Sequence, residues 1–213
     1  MKNLPLVLII CITVAGCSAT KIVSSWNQQG AEEKQYQKLG VVVMIPDMAN
    51  RATVEDAVAK ELRARGIKAS PTFNTFPFAG KIGELGLDSA TTQQKIRQRV
   101  NDNHFDALLL IVLLDKRKEQ RYVEGSSISI GAPVYGYPYY GYYYYAYSTV
   151  YSSGYYTTST SYFVESNLYD VASQKLVWTA QTNTEDPTSI ETESANFAKI
   201  IVDNLMLKKV IKP

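Results

Sequence analysis

The sequence predicts a single α/β domain built on one mixed β-sheet with helices on both faces. A valine-rich apolar run over residues 39–45 and a wholly apolar run over residues 107–114 are typical of buried strands. Helical periodicity fills the gap between them, and two further strand patterns precede a C-terminal amphipathic helix. The predicted element order is therefore β-α-β-α-β-β-β-α.

The first half of this order contains two crossovers. We expect a helix that is capped by Thr53 and ends at Gly66, because a glycine there tolerates the left-handed backbone of a helix C-terminus. Residues 67–73 form the next predicted strand, and Pro71 assigns it to a sheet edge since proline donates no ladder hydrogen bond. A second helix is predicted over 90–103. Right-handed crossovers make the first three strands parallel, in the order 2-1-3.

The second half predicts an antiparallel extension of the sheet. The strand that starts at residue 107 becomes charged over 115–123, which is typical of a solvated strand end. Residues 162–170 and 175–183 form an antiparallel hairpin, in which Trp178 is expected to be buried beneath a helix with its indole N–H bonded. A last helix is predicted to begin at residues 186–187, because proline suits the first helical turn.

The N-terminus has the pattern of an export signal. Lys2 precedes an uncharged, strongly apolar stretch over residues 4–16, which is too short to span a bilayer. The stretch ends in the letters VAGC, and this resembles the lipobox of bacterial lipoproteins. The resemblance implies a diacylglycerol on the sulfur of Cys17, cleavage before that residue and acylation of the new amino group. A plain signal peptide with a chance cysteine is the alternative.

The domain division follows from that interpretation. We expect a lipoprotein signal peptide over 1–16, a lipidated tether over 17–36 that reaches roughly 60 Å when extended, and an α/β domain over 37–213. By resemblance to enterobacterial sorting signals, Ser18 implies the outer membrane. The expected location is therefore the outer membrane, lipid-anchored, on its periplasmic face.

Composition excludes several classes of function. The formal net charge of +2 gives no electrostatic case for nucleic acid binding. Cys11 leaves with the signal peptide and Cys17 is capped, so we expect neither a disulfide nor a free thiol. His104 is the single histidine, and we interpret it as a partly buried structural residue because no second histidine or thiol is present to complete a zinc site.

No catalytic motif is recognised. The glycines of residues 80–86 lack the lysine and the spacing of a phosphate loop, and no G-x-S-x-G elbow occurs. Asp102, Asp106 and Asp115 lie at predicted element ends, where carboxylates usually cap or face solvent. We therefore predict a protein that is not an enzyme, without cofactor, metal or catalytic residue. A carboxylate-pair hydrolase acting on envelope polymer stays an alternative.

The most unusual feature is a tyrosine-rich insertion at about residues 126–161. The chain has 16 tyrosines, and 13 of them lie between positions 135 and 162. Tyrosine combines a flat apolar face with one polar tip, which suits binding loops. The alternatives are a flexible low-complexity insertion with no ligand, and membrane-spanning strands, which lack the expected aliphatic alternation. The candidate interaction residues are Tyr135, Tyr137, Tyr139, Tyr140, Tyr142, Tyr143, Tyr144, Tyr145 and Tyr147.

Almost the whole mature chain resembles an uncharacterised family of Gram-negative lipoproteins with a Tyr/Gly-rich insertion. The matching pieces, besides the lipobox and the insertion, are residues 24–26, 39–42, 65–66, 106–107, 122–123 with 125, 165 with 168–170, 175–178 and 186–187. The sheet order is also similar to that of the amino-terminal domain of the Tol propeller protein and of curli-type secretion lipoproteins, a weaker likeness of fold. The family implies no known activity, substrate or catalytic residue.

These observations lead to one functional hypothesis and two alternatives. We expect a non-enzymatic envelope protein, held in the membrane by acyl chains on Cys17, that presents its tyrosine-rich loop to another envelope protein or to peptidoglycan. The first alternative is an oligomeric subunit of an envelope transport or secretion assembly that uses an exposed sheet edge or loop. The second is the envelope-polymer hydrolase. The oligomeric state stays open.

Overall fold

The computed structural model describes residues 19–28, 33–76, 90–123 and 155–213. Within them a six-stranded mixed sheet is flanked by helices, which confirms the predicted α/β class. The elements in chain order are β1 Thr20–Asn27, β2 Leu39–Met44, α1 Met48–Ala64, β3 Ala69–Pro71, α2 Ala90–Asp102, β4 Ala107–Val123, β5 Tyr155–Asp170, β6 Lys175–Glu185 and α3 Ile190–Leu207.

The strands are ordered β1-β6-β5-β4-β2-β3. β2 runs parallel to both β3 and β4, whereas β5 is antiparallel to β4 and to β6. This confirms the parallel 2-1-3 arrangement and the antiparallel hairpin that the sequence predicts. The short strand with Pro71 lies at the sheet edge, as expected for a residue that cannot donate to a ladder.

The larger core lies between the sheet and the helices α1 and α3. Leu109 of β4, Leu168 of β5 and Trp178 of β6 are all fully buried in it. The indole Nε1 of Trp178 donates to the side-chain oxygen of Asn204 on α3 at 3.0 Å. The prediction for Trp178 is confirmed: a helix covers the ring and supplies the partner of its polar atom.

The smaller core covers part of the opposite face. Val100 of α2, Val42 of β2 and Phe105 form a buried cluster against which Leu108 and Leu110 of β4 pack. Helices therefore lie on both faces, as predicted. The strand residues of this cluster come from β2 and β4, so α2 packs over that half of the sheet.

The expected tether needs a correction. The sequence predicts an unpaired linker over residues 17–36, but Thr20–Asn27 forms the edge strand β1, antiparallel to β6. A register shift between Ile22 and Ser24 interrupts the side-chain alternation, which is why the sequence lacks a clean strand pattern. Tyr36 is also buried, at 4% exposure, and belongs to the larger core.

Both long core helices begin elsewhere than expected. α1 begins at Met48, where the carboxylate of Asp47 accepts from the backbone N–H of Asn50 at 2.8 Å, so Thr53 is not its cap. Its predicted end at Gly66 is confirmed, with a left-handed φ of 82°. α3 begins at Ile190 behind a Ser189 cap, not at residues 186–187.

The central hairpin is longer than the sequence suggests. β4 continues through the charged run to Val123, and the side chains of residues 116–121 are exposed, which confirms a solvated strand end. β5 begins at Tyr155, so residues 155–161 are strand and not part of the insertion as predicted. The rest of the predicted insertion, residues 126–154, lies outside the described residues.

Candidate functional site

The β4–β5 hairpin projects beyond the rest of the sheet. The pairing of β2 with β4 ends at Val112, and the pairing of β6 with β5 ends at Ser161. Residues 116–123 of β4 pair with residues 155–162 of β5, and we call these two segments the ribbon. The six residue pairs beyond the end of β6 span roughly 20 Å.

Two cation–aromatic contacts lie where the ribbon joins the rest of the sheet, which we call its root. The Nζ of Lys116 lies 5.0 Å from the ring centroid of Tyr162, and the guanidinium of Arg117 lies 4.9 Å from that of Phe163. Arg117 Nε also donates to Asp115 Oδ2 at 2.7 Å. Each exposed contact of this kind contributes only modestly to stability.

Asp186 ends the pairing of β6 with β5. Its backbone N–H donates to the carbonyl of Thr160 at 2.9 Å, and its Oδ1 accepts from the N–H of Thr160 at 2.6 Å. Its Oδ2 accepts from the hydroxyl of Ser159 at 3.0 Å. With a left-handed φ of 46°, Asp186 turns the chain away toward α3. Beyond Thr160, β5 therefore pairs with β4 alone among the described strands.

The two strands of the ribbon differ in chemistry. The β4 strand carries four cations and one carboxylate, whereas residues 155–162 are tyrosine, threonine and serine without a charge. The charged members, all exposed, are Lys116, Arg117, Lys118, Glu119 and Arg121. The ribbon thus has a net positive charge and a long uncharged strand of high β-propensity.

A shallow groove lies at the root of the ribbon. Its volume is about 250 Å³, and its lining includes Val23, Leu114 and Phe163. Val23 and Leu114 are 60% and 54% exposed, and each lies at a register shift in its strand. The two irregularities therefore present apolar side chains at the same level of the sheet.

A second cavity lies at the opposite end of the sheet, which we call the base. Its volume is about 230 Å³, and Lys34, Tyr36 and Asp170 lie in its wall. The carboxylate of Asp170 forms an ion pair with Lys34 and accepts from the N–H and hydroxyl of Ser173 at 2.8 and 2.7 Å. Lys34 Nζ also lies 5.1 Å from the ring centroid of Tyr36.

Ionisation at the base follows from these contacts. Burial alone raises the pKa of Asp170, but the Lys34 ammonium and the two Ser173 donors outweigh it and lower the pKa from 3.8 to about 2. Burial, followed by the charge of Asp170, raises the pKa of Tyr36 above its ordinary value. Asp170 is therefore an ionised anchor that joins the N-terminal segment to the β5–β6 turn, and Tyr36 stays protonated beside it.

A buried ion pair on α1 is not evident from the sequence. Arg51 and Glu55 are 1% and 0% exposed, and Arg51 Nε donates to Glu55 Oε1 at 2.8 Å. The same carboxylate accepts from the backbone N–H of Val43 at 3.0 Å and of Thr72 at 2.7 Å. Glu55 thus joins α1 to β2 and to the end of β3, so its role is structural. Only the i, i+4 spacing of opposite charges hints at it.

The acidic residues singled out in the sequence are held separately. Asp106 accepts from the backbone N–H groups of Gln37 and Lys38 at 2.6 and 2.9 Å, and Asp115 pairs with Arg117. Across the described ranges, no group of three or more potential ligands is placed to hold a metal ion. His104 is exposed with a left-handed φ of 54°, so the expectation of partial burial is wrong.

Several predicted features lie outside the described residues. Cys17, the glycines of residues 80–86 and the nine candidate tyrosines from Tyr135 to Tyr147 all belong to this group. Their roles stay predictions. Among the helices of the described ranges, none is long and apolar enough to cross a membrane.

No protein-family model matches the chain, and no curated protein matches it. Among solved structures it is similar to PelC from Paraburkholderia phytofirmans, solved as a dodecamer, with 12% identity over 85% of this chain and 94% of that chain and a TM-score of 0.45. It is also similar to the lipoprotein GNA1162 from Neisseria meningitidis, with 12% identity over 80% and 98% of the two chains and a TM-score of 0.39. Likenesses this distant assign no function.

Proposed function

We propose that this chain is a non-enzymatic, lipid-anchored envelope protein that presents its tyrosine-rich segment to a partner on the periplasmic face of the outer membrane. The proposed anchor is a set of acyl chains on Cys17, and the proposed partner is an envelope protein or peptidoglycan. The lipobox-like sequence supports the anchor. The ribbon supports the presentation of the tyrosine-rich segment.

The ribbon is the observation that carries the proposal. Val123 and Tyr155 are cross-strand partners at its tip, and the tyrosine-rich residues 124–154 connect them. Both ends of that segment are therefore fixed roughly 20 Å beyond the end of β6. Neither attachment point belongs to the two cores, which supports a segment whose sequence serves binding instead of folding.

Replacing residues 124–154 with a short Gly/Ser turn tests the presentation. A short turn suffices because Val123 and Tyr155 are already paired across the two strands. We expect unchanged circular dichroism and melting temperature, with loss of the partner that crosslinking captures from intact cells. The matched control keeps the length of the segment but replaces its tyrosines by serine, and it should lose capture too. A deletion that retains every captured partner would contradict the proposal.

The anchor is tested by Cys17→Ala. This change removes the sulfur that would carry the diacylglycerol, so we expect an unprocessed, unlipidated protein by mass spectrometry of the membrane fraction. The control is Ala19→Ser, which leaves the lipobox intact and should be lipidated normally. Normal cleavage before residue 17 in the Cys17→Ala protein would show an ordinary signal peptide.

The ribbon also favours a second candidate, an oligomeric subunit of an envelope assembly. Residues 157 and 158 of β5 lie on a strand edge that pairs with no described strand on its outer side, and they carry neither charge nor proline, the usual protection against strand addition. Native mass spectrometry of the purified protein would reveal a defined oligomer. Thr158→Pro should then dissociate it, while Thr158→Val, which keeps the N–H and the β-propensity, should not. A monomer at all concentrations would exclude this candidate.

A further inference from the structure

We propose that the ribbon lies on the membrane that carries the anchor, in contact with anionic lipid headgroups. This inference rests on the proposed lipidation of Cys17. It adds to the proposed function an orientation and a second membrane contact, neither of which the lipobox-like sequence supplies.

The first step is where the chain enters the sheet. The N–H of Glu185 donates to the carbonyl of Ala19 at 3.1 Å, and Thr20 pairs with Thr184. Glu185 in turn pairs with Ser161, at the root of the ribbon. The chain therefore reaches the sheet at the end from which the ribbon projects, and β1 then runs away from that end.

The second step is the reach of the anchor. With β1 paired into the sheet, only two residue steps separate Cys17 from Ala19, and these span at most about 7 Å. An unpaired tether over 17–36 would have allowed roughly 60 Å. The lipidated sulfur is thus confined near the root of the ribbon, and the ribbon projects roughly 20 Å past this level.

The third step is which end of the domain meets the membrane. On the base side of Ala19 lie both cores and the whole length of β1, roughly 24 Å. A membrane on that side would have to take in the charged surface of the folded domain, at a large desolvation cost. Among the described residues, only the ribbon lies on the other side. The short connection therefore favours the ribbon as the part that meets the lipid.

The chemistry of the ribbon fits a headgroup layer. Its four cations against a single carboxylate suit anionic lipids. Tyr156 near the tip is 73% exposed, and tyrosine is enriched at membrane–water interfaces. The long aliphatic alternation of a lipid-spanning strand is missing, so the contact is interfacial.

Site-specific labels on the full-length, lipidated protein test the proposal. Thr158→Cys places a thiol on the exposed part of the ribbon, and Ala172→Cys places one on the exposed β5–β6 turn at the base. Each is coupled to an environment-sensitive fluorophore, and the protein is reconstituted into phosphatidylethanolamine/phosphatidylglycerol vesicles that contain a headgroup-level quencher lipid. We expect several-fold stronger quenching at position 158 than at 172.

Charge variants sharpen the test. Combining Lys118→Glu with Arg121→Glu should remove most of the quenching at position 158, whereas Lys175→Glu with Lys212→Glu, exposed lysines away from the ribbon, should leave it unchanged.

Flotation of the same vesicles separates the claim of an anchor on Cys17 from the claim of a lipid contact by the ribbon. Protein that does not float contradicts the anchor on Cys17. Protein that floats with equal quenching at 158 and 172, or with stronger quenching at 172, overturns the contact of the ribbon with lipid.

Discussion

The base and the ribbon lie at opposite ends of the same hairpin and are built differently. At the base, Asp170 binds donors from the N-terminal segment and from the β5–β6 turn, and Lys34 bonds through its backbone to the C-terminal segment. In the ribbon, the charged side chains are exposed, and beyond Ser161 the two strands pair only with each other among the described strands. The bonds that join separate segments of the chain are therefore concentrated at the base, whereas the membrane contact and the partner are proposed for the ribbon end.

The largest effect in this comparison is expected at Glu55, in the stabilised half of the sheet. Glu55→Ala leaves the Arg51 cation buried and two backbone N–H groups without their acceptor. Breaking a buried pair in this way costs roughly 3–5 kcal/mol of unfolding free energy. Denaturant melts measure it, with Asp56→Ala, which removes an exposed carboxylate of α1, as the control. If Glu55→Ala lowers the unfolding free energy no more than Asp56→Ala does, water must readily reach the Arg51 side chain, and this account would be contradicted.

The next effect is a pH dependence at the base. The pKa of Asp170 is about 2 when folded and 3.8 in an unperturbed chain, so its contribution is complete above about pH 5 and is lost as the pH falls toward 2. Asp170→Asn should remove about 2 kcal/mol at neutral pH. The difference in unfolding free energy between the native protein and Asp170→Asn should shrink as the pH falls toward 2. A difference that is constant from pH 6 to pH 2 would contradict this account.

The smallest effect is expected in the ribbon. Thr158→Ala and Lys118→Ser change exposed side chains at positions where, among the described strands, β4 and β5 pair only with each other. Each should change the free energy of unfolding by less than about 0.5 kcal/mol. Thermal melts check this, and a loss comparable to that of Asp170→Asn would mean that the ribbon belongs to the cooperative core.

Much of the fold can be predicted from the sequence because buried positions recur as apolar residues with the period of a strand or a helix. The apolar runs of β2 and β4, the buried face of β6 and the stop at Gly66 are all readable for this reason. β1 is not, because a register shift interrupts its alternation and most of its side chains are exposed or half-buried. Its pairing depends on backbone bonds to a strand about 160 residues later in the sequence, for which no local pattern exists.

The candidate site is only partly predictable for related reasons. The charged run of β4 is recognisable as a solvated strand, but its length as a ribbon depends on where β2 and β6 end. Arg51 and Glu55 look like an exposed helix pair, because the sequence does not show that two backbone N–H groups donate to the carboxylate. The predicted boundary of the tyrosine-rich insertion is wrong because threonine and serine in residues 157–161 suit both loops and exposed strands.

Hydrogen exchange tests the contrast between base and ribbon most directly. Mass spectrometry of peptides from the native protein would compare residues 116–122 and 156–160 of the ribbon with residues 107–111 and 166–170 near the base. Since only one neighbour strand supports each ribbon strand, we predict ribbon amides that exchange through local opening, while the base amides exchange only on global unfolding. Equal protection at the two ends, in protein free of lipid and partner, would contradict the division of the sheet into a stabilising end and a presenting end.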